Sequence, residues 1–435
     1  MTEQEAIAAI HARPRGGERT LRRMLALAEK LGHPERGFRA FHVAGSNGKG
    51  STAAMIASAL QAGGYRTGLY TSPYITCFAE RFQIDGIPIP GKELAFWTKK
   101  VLEAVHDLDA EGIFCTEFEC GTAIAFCWFA AQKCDAAVIE TGLGGRNDAT
   151  NILPPPLVSV ITALSLEHTA LLGNSLAEIA SEKAGILKGT AAVIASGQQE
   201  EAMEVLEEQC RRTYTRWICP DLGQARILRM DRKTLAFTYR DHKYSLTMSG
   251  RHQLENALNA LTALEMAQEI LPIPEDAICR GLSSARMPVR FETVAEQPAI
   301  VLDGAHNPQG AGVLAELLRH CPESPKIGVI GMLADKDWPH AARILAQGFD
   351  RVIAVPVENP RACTPPPDLA AAVQEICPAE WRSSLAEGLK VARSLAGKDG
   401  LVCCTGSLFL AAAARAMILD SNSRKDVIYA DSLQC

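Results

Sequence analysis

The chain has 435 residues, 47% of them apolar and 22% charged, with a formal net charge of −6 at pH 7. That is the composition of a folded globular protein of two or three domains, at roughly 100–200 residues each. The acidic balance and scattered lysines and arginines give no reason to expect a nucleic-acid partner. No run reaches the ~18–20 apolar residues of a membrane helix, and the opening MTEQEAIAAIHARPRGGERT does not read as a secretory leader. The expectation is a cytoplasmic protein with no membrane partner.

In chain order, the first apolar strand covers 41–44 and runs into GSNGKGS, after which a helical pattern covers 51–61. Strand, glycine-rich turn with a lysine, then helix is the build of a loop wrapped around nucleotide phosphates. Gly48 and Gly50 allow close backbone approach. Lys49 can reach the β/γ phosphates, and the Ser51 hydroxyl can ligate Mg²⁺. The spacing is shorter than the usual G-x-x-x-x-G-K-[ST], and a chance glycine-rich loop is the plain alternative.

Strands are expected at 67–71, 136–140 and 158–162, with helices at 93–105 and 122–131. Buried strand 136–140 delivers Glu140 to its C-terminal end, where open α/β sheets bind ligands. A carboxylate there is placed to hold Mg²⁺. Fourteen cysteines form no C-x-x-C pair. Cys120, Cys127 and Cys134 recur every seven residues, and buried free thiols are the expected account of them. His168 falls in a loop. Lys183 falls mid-helix beside Glu182, where a helix-face salt bridge is the ordinary reading.

From 225 to 248 apolar and polar residues alternate between turn signals, as antiparallel strands do. A helix at 253–270 follows, then a hinge around 283–297. The βα rhythm restarts with strands at 299–303, 326–331, 351–355 and 401–404, and helices at 310–320, 340–347 and 408–417. The whole reads as a P-loop ATPase domain with a mostly parallel sheet plus antiparallel strands (1–288). A smaller Rossmann-like α/β domain follows (289–420), then a polar tail (421–435).

GSNGKGS, SPYITCFAER, FECGTAIAF, ETGLGGRNDATN, EHTALLG…IASEKAGILK, GRHQLENALNAL, MPVRFE and VLDGAHNP stand in this order. Together they resemble the folylpolyglutamate synthase/dihydrofolate synthase family, the folate branch of the Mur-ligase-like enzymes. The resemblance spans about residues 15–415. It implies an ATP-dependent ligase joining L-glutamate to dihydropteroate or to a reduced folate, working as a monomer. The alternatives are a Mur-type ligase with another acceptor and a non-catalytic nucleotide-binding protein.

Carried over by position, Gly48, Lys49, Gly50 and Ser51 bind the ATP phosphates. Ser51, Ser72, Glu140 and His168 hold two Mg²⁺ ions. Lys183 corresponds to the family's carbamylated lysine, and Lys49, Glu140, His168 and Lys183 form the catalytic set. Asn256, Arg290 and Asp303 correspond to ATP contacts. Thr116, Glu117, Phe118, Glu119, Asn147, Asp148 and Ala149 correspond to pterin contacts. Arg146 to Ala149 resemble the form found in bifunctional members. The chain departs from the family at Glu167 (usually Asp), Asn147 (commonly Leu), Tyr74, Ala79 and Val289 (usually Gly).

Overall fold

The computed structural model describes residues 1–335, 337–359 and 362–419; the expected tail, 421–435, lies outside them. The strands are β1 (Arg39–Ala44), β2 (Thr67–Tyr70), β3 (Phe82–Ile84), β4 (Ile87–Pro88), β5 (Ala136–Glu140), β6 (Val158–Ile161), β7 (Ala191–Ile194) and β8 (Arg216–Ile218). They form one sheet in the order β4-β3-β2-β5-β1-β6-β7-β8. All pairs are parallel except those of β3 with β2 and β4. β1 lies between β5 and β6: the connection out of β1 runs to β2 on one side, and the connection out of β5 crosses to β6 on the other. This is the topological switch point where α/β sheets open a ligand crevice.

Helix Lys49–Ala62 is apolar almost all round because it is buried between the sheet and helices Arg251–Ala267 and Glu275–Ser284. A Cβ on Gly281 would lie 2.3 Å from the Ala59 Cα, so glycine lets the two helix backbones meet. On the other face, helix Glu117–Ala131 packs with Gly91–Ala110. Its start is set by a capping box in which Thr116 and Glu119 satisfy each other's backbone N–H. Cys120, Cys127 and Cys134 are buried free thiols. Burial pushes the last two up to about 12.

A second sheet of β9 (Ala225–Met230), β10 (Leu235–Tyr239) and β11 (His242–Leu246) is antiparallel, in the order β11-β10-β9. The third contains β12 (Glu292–Glu296), β13 (Ala299–Leu302), β14 (Lys326–Ile330), β15 (Arg351–Ala354), β16 (Ala379–Trp381) and β17 (Leu401–Thr405). Its order is β12-β13-β17-β14-β15-β16, parallel except for β12 with β13. The expected hinge therefore contains a strand. ETVAE is polar and half-buried, an edge strand that lacks the apolar run used to find the others. Among the described residues no helix is long and apolar enough to cross a membrane.

Val289 takes φ +50°, and so does Phe291. A left-handed backbone at a β-branched residue costs about 1–2 kcal/mol, which glycine avoids. Yet the Val289 side chain is fully buried in a cluster with Ile75 and Leu302, worth about 1.5–3 kcal/mol. Glycine would add about 0.5–1 kcal/mol of unfolded-chain entropy. Burial wins, and Val289→Gly is expected to destabilise the protein by about 1–2 kcal/mol in urea unfolding. A gain in stability would show that strain dominates.

Candidate active site

A cavity of about 580 Å³ opens beyond the C-terminal ends of β1 and β5 and runs to the second domain. It gathers Gly48, Lys49, Gly50, Ser51, Ser72, Glu140, His168 and Asn256 from one side and Arg290 and Asp303 from the other. These residues span more than 250 positions of sequence, and the topology brings them around one cavity.

The loop after β1 is tightly built. Ser46 and Asn47 donate their backbone N–H groups to Ala163 O. Gly48 has φ +88°, and a Cβ there would fall 2.1 Å from Asn256 Oδ1. Gly48→Ala is therefore expected to raise KM for ATP by about tenfold or more, through left-handed strain and a displaced Asn256. An unchanged KM would count against Gly48 as a phosphate-loop residue. Lys49 Nζ rests on Gly45 O and Ser46 O, at 2.9 and 3.2 Å. Gln253 Nε2 lies 3.4 Å from Ser51 Oγ and Gln253 Oε1 accepts from Asn256 Nδ2 at 3.0 Å.

Glu140 is 3% exposed, and its Oε2 accepts from Ser72 N at 3.0 Å. Burial raises its pKa, against the pull of Lys49, the Ser72 amide and Arg290. Asp303 is likewise raised by burial, with Arg290 opposing. Its two oxygens accept from Phe291 N and Ala305 N, which ties the hinge to the end of β13.

Lys183 is the last residue of helix Leu176–Lys183, not mid-helix, and its partner is not on the helix face. Its Nζ is buried under the loop that follows β1, 2.7 Å from Gly45 O and 2.8 Å from Glu167 Oε1. Burial lowers its pKa to about 8, despite Glu167. Glu167 is one methylene longer than the aspartate usual in the family, and it spends that reach on Lys183. Burial opposes ionisation of Glu167, but Lys49 and Lys183 outweigh it and hold the carboxylate at about 2. This carboxylate therefore contributes stability above pH 4.5 that is lost as pH falls from about 4.5 to about 2, on the order of 3 kcal/mol. Acid unfolding of Glu167→Gln should lack that loss; equal pH slopes in the two proteins would contradict the pairing.

The residues matched to pterin contacts do not line this cavity. Thr116 and Glu119 form the capping box, and Arg23 Nε donates to both Glu119 oxygens at 3.0 Å. Glu117 meets His11 Nδ1 at 2.9 Å and Arg15 Nε at 3.1 Å. Phe118 packs 2.4 Å from where a Gly142 Cβ would stand, so that glycine admits the ring. Asp148 accepts from Leu143 N and Thr150 N, arching the loop over residues 143–150. Ala149 is buried and Asn147 half-buried in that arch.

The structure also adds residues to the cavity wall: Arg81, His252, Gln253, His306 and Gln309. Arg81 is 4% exposed, lies over the Tyr74 and Phe78 rings, and its Nε has no hydrogen-bond partner. A largely buried guanidinium in the wall of a cavity is a group that pairs well with a carboxylate. Arg81, His252 and His306 stand inside recognised segments, but residue type alone could not separate them from their neighbours. Gln309 meets Asn47 Nδ2 at 2.5 Å across the cleft, which only the docked domains reveal.

Two α/β domains with a nucleotide loop facing a hinge and a cleft are the design of the Mur ligases. The Mur ligase middle domain matches residues 43–264, and the Mur ligase glutamate ligase domain matches 289–408. Within that class, the chain belongs to the dihydrofolate synthase/folylpolyglutamate synthase family, and it is an ATP-dependent ligase. It is 37% identical to the Bacillus subtilis dihydrofolate synthase/folylpolyglutamate synthase, over 93% of this chain and 96% of the relative. The Mycobacterium tuberculosis folylpolyglutamate synthase complexed with ADP superposes with a TM-score of 0.87, at 31% identity, covering 98% and 99% of the two chains. Escherichia coli FolC in complex with DHPP and ADP gives a TM-score of 0.85, at 28% identity, covering 97% and 99%.

Proposed function

We propose that the enzyme joins L-glutamate to 7,8-dihydropteroate, to the γ-carboxylate of reduced folates, or to both, in the cavity between residues 1–288 and 289–420. The observation that carries this reading is the convergence of the Lys49 loop, buried Glu140 and hinge-borne Arg290 and Asp303 on one cavity. ATP lies across the cleft, its phosphates on the amides of Gly48 to Ser51. Lys49 leaves the Gly45 and Ser46 carbonyls and moves to the transferring phosphate, where its charge stabilises the transition state. Asn256, Arg290 and Asp303 hold the rest of the nucleotide.

The donor set suits Mg²⁺. Among the described residues no cluster of three or more His, Cys, Asp or Glu could bind a metal by itself. Mg²⁺ asks for less: one or two carboxylates, with hydroxyls, waters and substrate phosphates completing its octahedron. Glu140, Ser51, Ser72 and His168 would hold two ions, which supply neutralisation of the phosphate charge when bound.

The acceptor carboxylate attacks the γ-phosphorus and ADP leaves. The amine of glutamate then attacks the acyl phosphate, phosphate departs and the amine loses a proton. Arg81 orients a substrate carboxylate. A carbamate on Lys183 would face the Glu167 carboxylate, so that modification requires Glu167 to turn away from Nζ. The enzyme works as a cytoplasmic monomer.

Phosphate release with ATP and glutamate tests the reading, with dihydropteroate and tetrahydrofolate supplied separately. Release is expected with at least one. Release with neither, while a UDP-muramyl acceptor works, would overturn the folate assignment. Release with tetrahydrofolate alone would remove the dihydrofolate synthase half.

A further inference from the structure

The sheet β11-β10-β9 gives the cavity wall Met230, and the mechanism assigns it nothing more. The turn between β9 and β10, however, reaches the second domain. Asp231 shapes that turn: its Oδ1 accepts from Lys233 N and Thr234 N, both at 3.0 Å. Arg232 is presented at the tip with only 11% of its side chain exposed. Its guanidinium donates to three groups of the second domain: Nε to Glu323 Oε1 at 2.9 Å, Nη1 to Thr293 Oγ1 at 3.0 Å and Nη2 to Glu296 Oε2 at 2.8 Å. Lys233 adds an ion pair to Glu296 at 2.5 Å.

Both ends of this contact lead to the nucleotide site. Thr293 and Glu296 lie on β12, the strand that follows Arg290 out of the hinge. On the other side, Ser249 Oγ donates to Asp231 O at 2.5 Å. Two residues later begins helix Arg251–Ala267, which carries Gln253 and Asn256. These hydrogen bonds and the continuous chain on either side of them thus join the ATP residues of one domain to those of the other.

We propose that Arg232 is an interdomain latch, a positioning residue that keeps the cleft closed before nucleotide arrives and so sets ATP affinity without touching ATP. A guanidinium is suited to this because its rigid fork serves several acceptors at once, and its pair with Glu323 is largely buried, whereas Glu296 is 55% exposed. When only the closed form binds, apparent affinity falls in proportion to the closed fraction. Losing the latch lowers that fraction and leaves the chemistry of the closed form alone.

The test uses the full chain with Arg232→Met and, separately, the double variant Glu296→Gln/Glu323→Gln. Both are expected to raise KM for ATP about tenfold, with kcat within about twofold. Small-angle scattering without nucleotide should show a larger radius of gyration, returning to the parent value at saturating ATP. Arg232→Lys, a point charge that cannot span three acceptors, should fall between. Unchanged KM and scattering in soluble variants would overturn the latch. So would an expanded particle with unchanged ATP affinity. The proposal rests on reading the cleft as the ATP site. Failure of that reading would appear in the unaltered enzyme as no acceptor-dependent phosphate release, whereas failure of the latch appears as a normal ATP KM in an active Arg232→Met enzyme.

Discussion

Glu140→Gln is expected to lower kcat/KM by about 10³-fold, the scale of losing one preorganised electrostatic contact at a transferring group, while the protein stays as stable as before or gains stability. The two halves have one cause. The Glu140 carboxylate is buried at the end of β5, and burial raises its pKa because the protein around it does not fully compensate its charge. Glutamine has the same shape and keeps an acceptor for Ser72 N, so the fold loses nothing and sheds a buried charge. The site loses the carboxylate that accepts from Ser72 N and that is proposed above to help hold Mg²⁺. Melting temperature, circular dichroism and Mg²⁺-dependent turnover, measured together, separate these effects. Activity within tenfold of the parent would refute the metal role, and a collapse in melting temperature would show that Glu140 is structural.

Lys183→Ala combines a stability loss with an activity loss. Its Nζ is the buried partner of both Gly45 O and Glu167. Removing one member of a buried pair leaves an uncompensated charge, at a cost of about 3–5 kcal/mol. The carbonyl of Gly45, at the start of the loop after β1, also loses one of its two donors and keeps only Lys49 Nζ. Lys49 is the other cation acting on Glu167, so without Lys183 it is drawn toward that carboxylate and away from the phosphates. A misplacement of this kind costs about 10²-fold in rate. The urea midpoint should fall and kcat/KM should drop together. Pairing with Glu167→Gln should recover much of the stability but little of the activity. Full activity in Lys183→Ala would remove it from the site.

Much of this was legible in the sequence. The strands before GSNGKGS and ETGLGG are short, apolar and bounded by glycine, and β1 and β5 fall where those patterns end. The alternation of apolar and polar residues between turn signals at 225–248 announces the antiparallel sheet. Helix Glu117–Ala131 starts five residues before the expected 122 because its first turn is polar: Thr116 and Glu119 form a capping box, and the apolar signal begins only after it. β12 is not legible in the sequence because an edge strand at a hinge has no apolar face to advertise.

In the site, sequence could name Lys49, Ser51 and Glu140 because motif and strand end define their positions. It could not find Arg81 or Gln253, whose placement depends on packing between elements. Nor could it show that Glu167 reaches Lys183, because that pairing joins a loop to the end of a helix sixteen residues on. The left-handed Val289 is a case where substitution against the family pattern was visible but its outcome was not. The backbone kept the conformation that suits glycine, and the added side chain found a buried place.

The central claim is that the γ-phosphate of ATP passes to a carboxylate before the amide forms. Acceptor labelled with oxygen-18 in the reacting carboxylate tests it most directly, with the released phosphate read by mass spectrometry. The account predicts one labelled oxygen in each phosphate formed during ligation. Unlabelled phosphate, released in step with amide formation, would contradict it.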